Sequence, residues 1–165
     1  VYCMPAEGVA LAPRDHLLTF EEIARVARIG AHLGLRKIRL TGGEPTVRRD
    51  LPELVRMLRE TSGIREIAMT TNGALLETLA SPLKNAGLDR VNISLDTLKP
   101  ERAHELSRRD LFDNVLRGID AAVENQLTPL KLNAVVMRGF NDDELANLVH
   151  FARERDAEMR FIEYM

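Results

Sequence analysis

Apolar and polar positions switch repeatedly between two periods along this chain. From Thr19 to Gly34 the residues Ile23, Val26, Ala27, Gly30 and Leu33 recur at helical spacing. Thr19 and Glu22 of "TFEE" form a capping box at the start, and Gly34 ends the helix. "RKIRL" then reads as a short strand running into "TGGEPTVRRD". Asp50, Pro52 and Glu53 open a second helix that stops near Gly63. "EIAMTT" is a strand closed by Asn72-Gly73, and residues 75–86 read as a helix broken at Pro82. "DRVNISLD" is the clearest strand, followed by a short helix from Pro100 and another over 112–126. "LKLNAVVM" is a strand, "NDDE" at 141–144 caps a further helix, and "EMRFIEYM" is the last strand.

Strand, helix, strand in strict alternation implies parallel crossovers and an α/β fold. A doubly wound sheet has helices on both faces, so its strands are apolar throughout. These strands are not. Val91, Ile93 and Leu95 alternate with Asn92, Ser94 and Asp96; Ile38 and Leu40 alternate with Arg39 and Thr41. Leu130, Leu132 and Ala134 alternate with Lys131 and Asn133, and Thr70 and Glu163 extend the polar series. One face therefore meets helices. The other lines a polar lumen of a wide, incomplete barrel or faces water across a two-layer sheet. Residues 1–165 are expected to form one domain, cut at both ends.

Composition narrows the classes. The 165 residues are 45% hydrophobic and 29% charged, with no Trp, so aliphatic side chains and Met fill the core. Lys and Arg number 23 against 25 Asp and Glu, and a net charge of −2 offers no nucleic-acid face by composition. No apolar run has membrane-spanning length and no signal peptide is visible, so a cytoplasmic protein without a membrane partner is expected. A single cysteine excludes an intrachain disulfide framework.

The candidate chemistry sits at strand ends. In "TGGEP" (41–45), two glycines let backbone approach a ligand closely, and Glu44 offers a carboxylate for an ammonium group. The same residues also suit a tight strand-to-helix turn. "TTNG" and "SLD" end strands on the same side of the sheet. Arg39 and Lys131 are cations at inward positions of two different strands. They either pair internally, with Asp96 or Glu163, or await an anionic ligand such as a phosphate. Cys3 is a buried thiol or one ligand of a metal site whose others precede residue 1. The four histidines have no ligand spacing.

"YCMP", "LLTFEEI", "KIRLTGGEP", "TTNG", "VNISLD", "GFNDDE" and "RFIEYM" occur in this order across essentially the whole chain. This set resembles the radical S-adenosylmethionine (SAM) enzymes, and within them the GTP 3′,8-cyclases of molybdenum cofactor biosynthesis. The resemblance implies an incomplete parallel (β/α)6 barrel. It makes Cys3 the third cysteine of a C-x-x-x-C-x-x-C set that holds a 4Fe–4S cluster. It implies that Tyr2, Gly43, Glu44, Ser94 and Met165 contact SAM, Glu44 at the amino group, and that Arg39, Thr70 and Lys131 contact GTP. The implied reaction uses a 5′-deoxyadenosyl radical to join ribose C3′ of GTP to C8 of guanine. An electron donor for the cluster is implied, and a homodimer is left open. The family's first strand and a C-terminal region carrying a second cluster are not in these residues, so the 165-residue piece alone is expected to be inactive. Two other readings stand beside this one: a radical SAM enzyme with another substrate, and a non-catalytic nucleotide-binding module.

Overall fold

The computed structural model describes residues 17–164. Helix α1 (Phe20–His32) starts as expected: the Glu22 N–H donates to Thr19 Oγ1 (3.2 Å) and the Thr19 N–H donates to Glu22 Oε2 (2.8 Å). It buries Ala24, Ala27 and Ala31. The remaining elements are β1 (Lys37–Leu40), α2 (Leu51–Arg59), β2 (Glu66–Thr71), α3 (Leu76–Asn85), β3 (Arg90–Ser94), α4 (Pro100–Ser107), α5 (Phe112–Glu124), β4 (Lys131–Val136), α6 (Leu145–Glu154) and β5 (Glu158–Glu163).

All five strands pair in parallel, in the order β1-β2-β3-β4-β5. Each new strand adds on the same side of its predecessor. That is barrel winding, since a doubly wound sheet reverses its order at a switch point. Among the described residues β1 and β5 do not pair, so the sheet is an open arc. This is the incomplete barrel that the resemblance implied, and not a two-layer sheet.

Ile67, Met69, Val91, Ile93, Leu132 and Ala134 project to one side of the sheet and are fully buried against the helices. Each large aliphatic side chain so placed contributes roughly 1.5–3 kcal/mol. The α3–α5 contact depends on a missing side chain. A Cβ on Gly118 would lie 2.0 Å from the carbonyl oxygen of Gly73, so only glycine lets α5 rest on the turn that follows β2.

Three local expectations are corrected. Pro82 does not break the helix. α3 runs through it, with Leu79 N–H donating to Leu75 O and Ala86 N–H to Pro82 O on either side. "NDDE" does not cap a helix through its side chains. It forms a short 3-10 turn (Asp142–Glu144) before α6, and the Asn141 side chain turns inward instead. Glu163 does not continue the polar face. Met159 packs into the core, so Glu158, Arg160 and Ile162 occupy the opposite face.

Candidate functional site

The register brings the inward residues of successive strands side by side. Thr70 pairs with Asn92, Asn92 with Lys131, and Lys131 with Glu158. Nearer the rim, Ser94 pairs with Asn133 and Asn133 with Arg160. Arg39 reaches across from β1 and donates to Thr70 Oγ1 at 3.1 Å. Four sequence-derived candidates, Arg39, Thr70, Ser94 and Lys131, therefore share one concave face.

Neither anticipated partner pairs with the inward cations. Lys131, only 15% exposed at its side chain, meets Glu158 at 2.8 Å. Asp96 lies past the end of β3, where its Oδ1 accepts the Val135 N–H (2.7 Å). Glu163 is excluded by its parity. Among the described residues, Arg39 meets the Thr70 hydroxyl and forms no ion pair. Deeper in the arc, Glu66 bridges Lys37 (2.9 Å) and Arg90 (2.7 Å), and Arg90 also donates to Asn92 Oδ1 (3.1 Å). The Lys37 ammonium and the Arg90 guanidinium hold the Glu66 carboxyl below its ordinary range.

The rim is built from the loops leaving the strands. In "TGGEP", Gly42 has φ +147°, a conformation that favours glycine. A Cβ on Gly42 or on Gly43 would have nothing within 4 Å, so the backbone here borders open space. Glu44 turns back into the protein. Its Oε1 accepts the Thr46 N–H (3.0 Å), the Thr46 hydroxyl (2.6 Å) and the Thr71 hydroxyl (2.6 Å), and its Oε2 accepts the Asn72 N–H (2.6 Å). The carboxylate thus braces the glycine loop against the exit of β2. No cation among the described residues pairs with it.

The opposite side of the rim is held by Glu144 and Asn141. Glu144 accepts the Thr97 hydroxyl (2.7 Å), the Leu98 N–H (2.8 Å) and Arg102 (2.5 Å). The Asn141 side chain donates to Asp96 O and Val135 O and accepts the Met137 N–H.

Sequence reasoning passed over Asn133, Glu158 and Arg160. The amide oxygen of Asn133 is buried and has no hydrogen-bond partner, alone in this among the described side chains. An unsatisfied buried acceptor is costly, so it calls for a donor beyond those the described residues supply. Its signal was present: asparagine is disfavoured inside a strand, and it stands two residues from Lys131. Glu158 and Arg160 were legible only once Met159 was known to be the buried member of β5.

Tyr2, Cys3 and Met165 lie outside the described residues, so the cluster ligand and two SAM contacts have no described position. Among the described residues, no group of three or more His, Cys, Asp and Glu side chains could hold a metal ion. No described helix is long and apolar enough to cross a membrane.

An open parallel arc with a polar concave face and a glycine rim after β1 defines a partial-barrel protein. Residues 1–152 match the Radical SAM superfamily, and the chain belongs to that superfamily. Its cofactor pair is a 4Fe–4S cluster and S-adenosylmethionine. The chain is 54% identical over 164 residues to Molybdenum cofactor biosynthesis protein 1 of Drosophila melanogaster, covering 99% of the chain and 29% of that protein. It is 52% identical over 164 residues to GTP 3′,8-cyclase of Moorella thermoacetica, covering 99% and 51%. It is 48% identical to the mitochondrial GTP 3′,8-cyclase of Arabidopsis thaliana, covering 99% and 42%. The chain thus spans about half the length of such cyclases, or less. Among solved structures, native anSMEcpe with bound AdoMet superposes with a TM-score of 0.74 at 19% identity, over all of this chain and 47% of that one. Methylornithine synthase gives 0.67 at 21% identity, over 91% and 45%. At such identities the likeness concerns the fold.

Proposed function

We propose that this chain is the partial-barrel region, residues 1–165, of a GTP 3′,8-cyclase acting in molybdenum cofactor biosynthesis. The observation that carries the reading is the convergence of Arg39, Thr70 and Lys131 on one concave face, directly below the open Gly42–Gly43 rim and Ser94. The identity to several proteins named as cyclases supports it.

The residues present fit the cofactor pair. Open space at Gly42 and Gly43 leaves their backbone groups available to a ligand. Among the described residues Glu44 is a carboxylate side chain with no cation beside it, which suits the amino group of S-adenosylmethionine. Ser94 and the orphaned Asn133 oxygen stand next to each other, a donor-and-acceptor pair matched to a ribose diol. Tyr2 and Met165 complete the S-adenosylmethionine contacts in this reading, and Cys3 with two preceding cysteines holds the cluster. Bound together, cluster and cofactor supply a 5′-deoxyadenosyl radical that can remove hydrogen from a substrate carbon.

The concave face of this chain has its own part in holding the substrate. Arg39 and Lys131 take the triphosphate, Arg39 having no carboxylate partner among the described residues. Thr70 orients the Arg39 guanidinium. The buried helix-facing half of the sheet makes the concave face rigid, so its polar groups are held in place before a ligand arrives.

The test uses the full-length protein that carries this chain, with its clusters reconstituted without oxygen. GTP should be consumed in a SAM-dependent reaction, and Arg39→Ala and Lys131→Ala should each weaken GTP binding about tenfold or more, as expected for charge-assisted contacts. GTP binding unchanged in both variants would overturn the assignment of the site. The 165-residue piece alone is expected to show no turnover.

A further inference from the structure

Lys131 and Arg160 lie on neighbouring strands and share one carboxylate. Glu158 Oε2 meets Lys131 at 2.8 Å, and Glu158 Oε1 accepts from Arg160 Nε at 2.7 Å. Both oxygens are engaged, so Glu158 spans two cations much as two oxygens of a phosphate would. The three residues differ in freedom. Lys131 is 15% exposed and cannot easily leave, whereas Glu158 is 50% exposed on the last described strand of the arc.

A second carboxylate on the same face shows the alternative. Glu66 also bridges two cations, Lys37 and Arg90, but it is about half as exposed as Glu158. Its partner Arg90 is further anchored by Asn92. That cluster is locked into the floor of the arc. Glu158 is held by two ion pairs alone among its described contacts, and half-exposed ion pairs are individually weak.

We propose that Glu158 is an exchangeable counter-anion that occupies Lys131 and Arg160 until a polyphosphate displaces it, and that it thereby sets nucleotide affinity. The inference rests on the reading of the concave face as the GTP site. It makes Glu158 a specificity-determining residue. A single phosphate gains little by expelling a carboxylate of similar charge. A triphosphate, with more charge and more oxygens, can replace Glu158 and also reach Arg39, which forms no ion pair among the described residues.

Isothermal titration of the full-length protein separates the outcomes, with GTP, GMP and inorganic tripolyphosphate as probes. Glu158→Gln should tighten GTP and tripolyphosphate about three- to tenfold, the scale of losing one competing exposed ion pair. GMP should tighten less. Glu158→Ala gives an independent second variant, with the same sign expected. Unchanged or weaker binding of GTP and tripolyphosphate in both variants would overturn the proposal, and would make Glu158 a residue that merely positions Lys131. Lys131→Ala is the control for the site itself. If it leaves GTP binding intact, the GTP site is misplaced; if it weakens binding while Glu158→Gln does not tighten it, only the counter-anion idea fails.

Discussion

Glu44 and Glu144 hold two sides of the rim by the same device. Glu44 takes the hydroxyl of Thr71 and the N–H of the next residue, Asn72. Glu144 takes the hydroxyl of Thr97 and the N–H of the next residue, Leu98. Each threonine oxygen also accepts the N–H two residues on, from Gly73 and from Lys99, both at 3.1 Å. The two differ in charge. Glu144 is 1% exposed and is neutralised by Arg102, which in turn binds Asp143 (2.6 Å), itself paired with Lys99 (2.8 Å). Among the described residues Glu44 has no such cation, and the glycine loop beside it borders open space. A carboxylate with its charge balanced inside the protein is a structural joint. One with no described cation beside it, next to the glycine loop, is the joint proposed above to serve a ligand as well.

The largest expected effect tests the closed member. Glu144→Ala strands the Thr97 hydroxyl and the Leu98 N–H, and it deprives Arg102 of one of two carboxylates. A loss of about 2–4 kcal/mol follows for breaking a buried hydrogen-bonded charge. Glu44→Ala leaves the Thr46 and Thr71 hydroxyls without their acceptor, but the Asn72 N–H it frees is on an exposed residue and no described cation loses a partner, so it should cost less, about 1–3 kcal/mol. Chemical denaturation of the two variants checks both numbers. Equal losses would remove the distinction between the joints.

Acid should open the closed joint. Burial pushes the Glu144 carboxyl up, but the Thr97 hydroxyl, the Leu98 N–H and the Arg102 guanidinium outweigh it, and the net position is below the usual 4.5. Arg102 and Lys99 hold Asp143 far below its ordinary range as well. A carboxyl lowered on folding stabilises fully above its unfolded value and loses that contribution as pH falls through its folded value. Stability should therefore drop below about pH 4.5, with amide exchange at Leu98 and Lys99 rising first. Glu144→Gln should flatten that acid limb; a limb of undiminished slope would assign the loss to other carboxylates.

Local patterning carried the helices and strands because one period or the other dominates each segment. The Thr19 capping box and the switch to alternation at Ile38 needed no distant information. Five parallel strands in chain order followed from the regular alternation. The polar face of β1, β3 and β4 followed too, because apolar residues that pack toward the helices flank each inward one, while β2 mixes Ala68 with Glu66 and Thr70 on that face. β5 failed that test. Met159, Phe161 and Ile162 are all apolar, so its parity is ambiguous without its partner, and Glu163 was placed on the wrong face. Pairings across the rim were out of reach for another reason. Glu144 meets Thr97 across 47 residues, and Glu44 meets Thr71 across 27, so each depends on the completed arc. Lys131 was correctly marked as a cation needing an anion, yet its partner Glu158 is fixed by register alone.

The smallest expected effect isolates the function of the open joint. Thr71 and Thr97 are matched: both nearly buried, both donating to a carboxylate, both accepting from the N–H two residues later. Thr71→Val and Thr97→Val each remove one hydroxyl while keeping a branched side chain. Each should cost about 1–2 kcal/mol, the penalty for leaving hydrogen-bonding groups unpaired. The two losses should agree within about 0.5 kcal/mol, since the deleted interactions are the same. Ligand binding should not agree. Thr71→Val loosens the brace between the Gly42–Gly43 loop and the end of β2, so S-adenosylmethionine affinity of the reconstituted full-length protein should fall about three- to tenfold. Thr97→Val should leave it within about twofold, because the Glu144 joint keeps Arg102 and its backbone contacts. Equal affinity losses in the two variants would mean that both joints support the cofactor alike, and that the missing cation beside Glu44 has no bearing on what the rim binds.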